Sequence, residues 1–172
     1  MNRVKLMTSA NGLPEGERPR ADRRLFSCRT AGGGRKGRDM AAVLWVGAGG
    51  FLGAVGRYLL GLVPFEGDFP LMTFLVNFAG AVAIGAITEV AGATSALSAE
   101  AALFLKTGVC GGFTTFSTFS LETLALFEGG KYATAALYAG GSLVACVLGV
   151  AAGKLAVRGA LSLAQLIGAQ GA

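Results

Sequence analysis

The sequence predicts an all-α membrane protein of four transmembrane helices, the third of them broken near its middle. Three observations carry that prediction. The chain is 53% hydrophobic, with 28 glycines in 172 residues and a mean hydropathy of +0.59, too apolar for an ordinary soluble domain. Its apolar residues fall into four runs separated by short polar turns, each long enough for a hydrocarbon core of about 30 Å. The third run is interrupted around Gly111 to Thr114: glycines that each cost roughly 1 kcal/mol in a helix interior meet β-branched threonines that are stiff at χ1.

Composition also removes function classes. No histidine occurs in the chain, which excludes His metal ligands and His general bases. The three cysteines, Cys28, Cys110 and Cys146, form no paired framework. A serine nucleophile would lack its base, no two acids converge, and no phosphate loop is present, so the sequence does not read as an enzyme. Basic charge is confined to the start: residues 1–40 hold ten Lys/Arg against four acids, which leaves residues 41–172 with a net charge of −1. Basicity therefore implies no nucleic-acid partner for the body of the chain.

Residues 1–39 are polar, Gly- and Arg-rich and without hydrophobic period, and read as a disordered basic extension. They contain no apolar run of signal-peptide type. Met40 leads at once into an apolar segment, so the expected working protein begins there, with a four-helix transmembrane domain over 40–158 and a loose C-terminal tail over 159–172. The first span is placed at 41–63. Its Gly49, Gly53 and Gly56 make a face for close helix approach, and Arg57 beside Tyr58 is either an interfacial anchor or a functional cation. A proline-punctuated loop over 64–70 precedes a second span at 71–91. In that span Asn77 either bonds two helices together or donates its amide NH2 to an anion. The residues alone leave both readings open.

A turn of small residues over 92–99, with Ser98 as N-cap, leads into a third run over 99–128, longer than a membrane needs. Two half-helices around the break account for the excess. After the break, Phe116 and Phe119 share a helix face with Thr115 and Thr118 beside them. Hydroxyls in an apolar segment point to a polar path, so the stretch reads as a pore or binding segment. Glu122 lies near one end of the run. The turn 128–131 opens a fourth span at 132–157, where Tyr138, Ser142 and Cys146 form one stripe and Gly141, Ala145, Gly149 and Gly153 an adjacent one. Four spans are too few to enclose a pore alone, which implies an oligomer.

The run Gly111-Gly-Phe-Thr-Thr-Phe-Ser-Thr-Phe-Ser-x-Glu122, with Gly56-Arg57-Tyr58, Thr73-Phe-Leu-Val-Asn77, and Tyr138 with Ser142, resembles the signature of the Fluc (CrcB-type) fluoride channels. The resemblance extends from Met40 to about Arg158. It implies a fluoride-selective passive channel that exports fluoride across the cytoplasmic membrane of a microbe and relieves its toxicity. It further implies an antiparallel, dual-topology homodimer with two pores. Fluoride is small and strongly hydrated, so a selective path must replace water with close donors. The candidates are Asn77, Ser142, Tyr138 and the hydroxyls of Thr115, Ser117 and Thr118, together with the positive ring edges of Phe116 and Phe119. By resemblance Arg57 belongs to a vestibule, where a cation attracts anions; Glu122 is either an exposed acid near a helix cap or a vestibule group. A structural sodium ion on the two-fold axis would be held by the main-chain carbonyls of Gly111 and Thr114, two from each subunit. Cys146 stands where the family usually has a serine, and a thiol is the weaker donor. The rival readings are a small dimeric drug/proton antiporter, which needs an acid deep in the first span that is absent here, and a non-conducting membrane assembly subunit. Cations divide nearly evenly between the two sides, Lys154, Arg158 and Lys106 against Arg57 and Lys131, as insertion in both orientations requires.

Overall fold

Alternating long apolar runs and short polar turns leave the backbone only one economical way to satisfy its own hydrogen bonds, which is helix. The structure, a computed structural model, describes residues 36–94 and 96–170, and among these every regular element is helical. Helix α1 spans Lys36–Gly61 and α2 spans Leu71–Ala93. The Ser98 hydroxyl then accepts from the Ala101 amide at 3.1 Å and caps α3, Ala99–Ala102, as its residue type predicts. Without interruption α3 becomes a π-helical stretch, Leu103–Cys110, and then α4, Gly111–Phe113. Thr114 and Thr115 are extended, and α5 runs from Phe116 to Glu128. Gly130, at φ +73°, makes the turn into α6, Tyr132–Gln170. By length and composition three helices can cross a membrane: Met40–Gly61, Leu71–Ala93 and Tyr132–Ile167. The apolar run of 99–128 is divided at Thr114 and Thr115, and neither part alone is long enough.

Four boundaries differ from those expected of the sequence. Residues 36–39, assigned to the extension, belong to α1, and the remainder of that extension lies outside the described residues. The loose tail expected at 159–172 is helical through Gln170, a continuation of α6, which at 39 residues is about 58 Å long. The π-helical stretch had no counterpart in the sequence reading. The glycines at 111 and 112 stay helical, and the two threonines that follow carry the extended backbone.

Packing explains what the glycines do instead of breaking the helix. A Cβ on Gly49 would collide with the Phe104 carbonyl, and one on Gly53 with the Val109 carbonyl. From the other side, a Cβ on Gly108 would lie 2.8 Å from the Gly49 Cα, and one on Gly112 would strike the Gly50 carbonyl. Backbone therefore lies directly on backbone between α1 and the segment 103–113. Helices α2 and α6 meet in the same way: a Cβ on Gly85 would collide with the Val150 carbonyl and one on Gly153 with the Val82 carbonyl, while Gly149 faces the Phe78 ring. Gly141, expected in the same packing stripe, has nothing within 4 Å. The α5–α6 pair closes over Leu126, Ala135 and Tyr138, with Phe69, Phe74 and Phe119 against them. At the helix ends Arg158 grips Glu89 in two bonds of 2.7 and 3.1 Å, and Lys131 pairs with Asp68.

This packing predicts a contrast between two glycines of one helix. Gly53→Val should lower thermal stability in detergent by about 1–3 kcal/mol, the usual cost of overpacking, and reduce folded yield. Gly47→Ala, which has open space around it, should leave the melting temperature unchanged or slightly higher. Equal melting curves for the two variants would contradict the close contact of α1 with 103–113.

Candidate functional site

The site begins with a diverted amide. In an unbroken helix the Thr115 N–H would return to the Gly111 carbonyl four residues earlier. Here it donates instead to Asn77 Oδ1 at 2.8 Å, and Asn77 Nδ2 donates back to the Thr115 carbonyl at 3.2 Å. One side chain of α2 thus satisfies both main-chain groups of a half-buried extended residue. The Phe116 amide no longer serves the Gly112 carbonyl, and Arg57 Nε donates to it at 3.3 Å. The Thr114 carbonyl would have received the Thr118 amide, which instead goes to the Thr115 hydroxyl at 3.2 Å. That hydroxyl is the N-cap of α5 and in turn donates to Thr118 Oγ1 at 3.0 Å. Thr114 Oγ1 donates to the Cys110 carbonyl at 2.9 Å, which ends the first half-helix.

These arrangements use up most hydroxyls of the segment. Ser120 donates to the Phe116 carbonyl and Thr123 to the Phe119 carbonyl, each four residues back. The sequence argument that such hydroxyls require a polar path is therefore weaker than it looked, because the helix absorbs them. One hydroxyl is different. Ser142 is 5% exposed, and its Oγ is buried without a hydrogen-bond partner among the described residues.

Ser142 borders a cavity of about 360 Å³ that also touches Asn77, Gly111, Thr114, Thr115, Phe116 and Phe119. Seven of the twelve candidate site residues are thus brought to one place from α2, α4, the break, α5 and α6. Phe116 is 78% exposed, with its ring centroid 5.4 Å from that of Phe119. The rest stand elsewhere. Ser117 is exposed, with its Oγ 3.3 Å from that of Thr115, and Thr118 belongs to the cap. Tyr138 is fully buried beneath Phe119, centroids 5.1 Å apart, and donates to Glu122 Oε2 at 2.7 Å. Thr73 donates to the other carboxylate oxygen at 2.8 Å. Glu122 therefore ties α2, α5 and α6 together. Arg57 lies against the Gly112 carbonyl on the α1 side.

Lys106, Cys110 and Cys146 also line the cavity. Sequence reasoning counted Lys106 only as a topological charge, although a lone cation inside an apolar run was signal enough to mark it. Among the described residues no group of three or more His, Cys, Asp or Glu could hold a metal. Chemically the cavity offers an amide, a free hydroxyl, ring edges and a cation in an otherwise apolar wall, a donor set suited to an anion.

Comparison with known proteins gives this arrangement its kin. Residues 44–154 match the family described as CrcB-like protein, Camphor Resistance. A protein of Chlorobaculum tepidum named fluoride-specific ion channel FluC is 56% identical over 106 residues, 60% of this chain and 84% of that protein. Proteins of the same name are 46% identical in Chlorobium chlorochromatii, over 70% of this chain and 95% of that one, and 46% identical in Clostridium novyi, over 64% and 91%.

The hydrogen-bond accounting makes opposite predictions for two polar residues of the cavity. Asn77→Leu strands both main-chain groups of Thr115 and should destabilise the protein by about 2–6 kcal/mol, at about 1–3 kcal/mol for each group left unpaired. Ser142→Ala removes a group with no partner and should be neutral or stabilising. Thermal unfolding of the purified variants in detergent checks both, and comparable losses would contradict this assignment of bonds.

Proposed function

Because the chain belongs to the CrcB-like family, we propose that it is a fluoride-selective channel that lets fluoride leave the cell passively across the cytoplasmic membrane. It is a multi-pass membrane protein of a channel family and not an enzyme. The observation that carries the reading is the buried, unpartnered Ser142 hydroxyl at the wall of the cavity that Asn77, Phe116 and Phe119 share. A hydroxyl kept dry and unbonded is costly, and a passing anion is a partner that repays it.

In this reading the second N–H of Asn77 and the Ser142 hydroxyl replace part of the hydration shell of fluoride. The Phe116 and Phe119 edges supply rigid, weakly positive walls. The helix break fixes where these groups stand. Conduction needs binding strong enough to strip water and weak enough to release, spread over several sites, and a few modest donors meet that requirement. The two chains of the proposed antiparallel homodimer would close the side of the cavity on which Phe116 is exposed. Helix length supports four crossings if 99–113 and α5 act as two halves of one.

A structural sodium ion is part of the proposal. The Gly111 and Thr114 carbonyls fit it chemically, since the amides that a continuous helix would bring to them go to Asn77 and the Thr115 hydroxyl instead. Oxygen ligands of that kind suit a hard cation. Bound there, sodium would hold two breaks together by charge and take no part in transport.

The purified full chain in liposomes, loaded with fluoride or chloride, tests the main reading: fluoride should leave rapidly and chloride should not. Phe116→Ile and Phe119→Ile keep apolar bulk without the ring edge, and each should cut fluoride efflux at least tenfold with the protein still folded. Wild-type efflux from both variants would remove the rings from the path.

The sodium site has its own test. Replacing all sodium by a large organic cation should lower the melting temperature and the activity together, and adding sodium back should restore both. Indifference of both readouts would dismiss the site.

A further inference from the structure

The described body of the chain holds five cations whose surroundings can be compared. Arg57 donates to the Gly112 carbonyl, Lys131 pairs with Asp68, and Arg158 pairs with Glu89. Lys154 lies near that same carboxylate without pairing with it. Lys106, like Lys154, has no acid in ion-pair range and no hydrogen-bond acceptor among the described residues. It is nonetheless half-buried and lines the cavity that Asn77, Phe116 and Ser142 share. It stands eight residues before Thr114 in the sequence, at most about 12 Å along the helix from the break.

An uncompensated ammonium inside an apolar segment is expensive and calls for a partner. Nothing negative in the described chain supplies one, whereas the Ser142 hydroxyl next to the same space offers a donor with nothing to bond. Two unsatisfied groups of the same electrostatic preference belong to residues that line one cavity, and a small anion would suit both. We propose that Lys106 is the charge that draws the permeating anion into this cavity, raising its local concentration beside Asn77 and Ser142. The proposal rests on the channel reading above and adds a residue that sets the affinity of the path. The amine acts at a distance, since a charge at a low-dielectric wall focuses its field into the cleft, while the break and its donors make the close contacts. Lys106 would therefore govern how much fluoride is needed for a given flux and leave the maximal flux alone.

Efflux from liposomes holding the full chain tests this, measured across fluoride concentrations at low and at high ionic strength, with an impermeant salt setting the latter. Lys106→Met keeps the stem and removes the charge. It should raise the half-saturating fluoride concentration about three- to tenfold at low ionic strength, with maximal flux changed less than about twofold. The difference should shrink at high ionic strength, where the Debye length falls to about 3 Å at 1 M. Lys106→Arg should behave as wild type. If Lys106→Met matches wild type at low ionic strength, the amine snorkels to an interface and the proposal is overturned. A salt-independent loss of flux, or one that Arg does not rescue, overturns it in favour of a packing role. If the wild-type chain carries no fluoride at all, the channel reading itself falls, an outcome separate from every comparison among variants.

Discussion

Two hydrogen bonds between the Asn77 amide and the backbone of Thr115 decide where this chain stops being helical. Extended backbone in an apolar environment is tolerable only when something replaces the lost ladder, and α2 provides that replacement with a single side chain. A helix that ran on instead would return the Thr115 amide to the Gly111 carbonyl. Two extended residues would then become two helical ones, turning everything after them by about 100° per residue. Phe116 and Phe119 would leave the cavity they now border. The clamp is thus both a fold determinant and the device that aims the site. The earlier alternatives for Asn77, helix glue or anion donor, therefore do not compete: one N–H is spent on the Thr115 carbonyl, and an amide carries a second.

The clamp can be placed accurately because its surroundings are stiff. Backbone-on-backbone contact between α1 and 103–113 leaves no side chain that could yield, so the distance from α1 to the break is set by the glycines at 49, 53, 108 and 112. The α2–α6 contact at Gly85, Gly149 and Gly153 fixes Ser142 opposite Asn77 in the same manner. Between these two tight seams lies the cavity. Its wall includes residues of the π-helical stretch, a form that concentrates at functional sites, and Lys106 is one of them. Glu122 adds a third constraint, since its two oxygens accept from Thr73 and Tyr138 and lock α5 against its neighbours.

Much of this was legible in the sequence, and the reason is periodicity. Apolar runs gave the helices, Ser98 gave its cap, and small residues four apart gave the seams. The residues of the cavity could be singled out because polar groups inside apolar runs are conspicuous. What escaped was whatever depends on distant partners. The sequence places the break over Gly111 to Thr114, where glycines that are poor helix formers meet stiff threonines. It is made by Thr115 through a residue 38 positions earlier, and the glycines are there for contact. Hydroxyls read as pore-lining at Thr118 are consumed locally, a matter of i to i−4 geometry and capping that composition does not reveal. The helical end of α6 escaped because Lys154 and Arg158, with Gly159 behind them, look like a helix C-terminus, whereas the helix runs on to Gln170.

One chain by itself leaves the site lopsided. Donors come from α2 and α6, rings from α5, and a cation from the π-helical stretch, yet the outer ring, Phe116, is 78% exposed. Gly111 likewise has open space where a Cβ would be, with only the Lys106 carbonyl at 4.0 Å. A path for fluoride must exclude water on every side, because a hydrated anion gains nothing from two modest donors. The open side must therefore be closed by lipid or by protein. Lipid tails offer no donors and no fixed shape, and would leave the ring edges directed at nothing. A second copy in the opposite orientation would set break against break and place the Gly111 and Thr114 carbonyls of both chains together, where a hard cation could offset their mutual repulsion. On that reading the proposed sodium and the proposed dimer answer the same electrostatic problem, one that the diverted Thr115 amide creates within each chain.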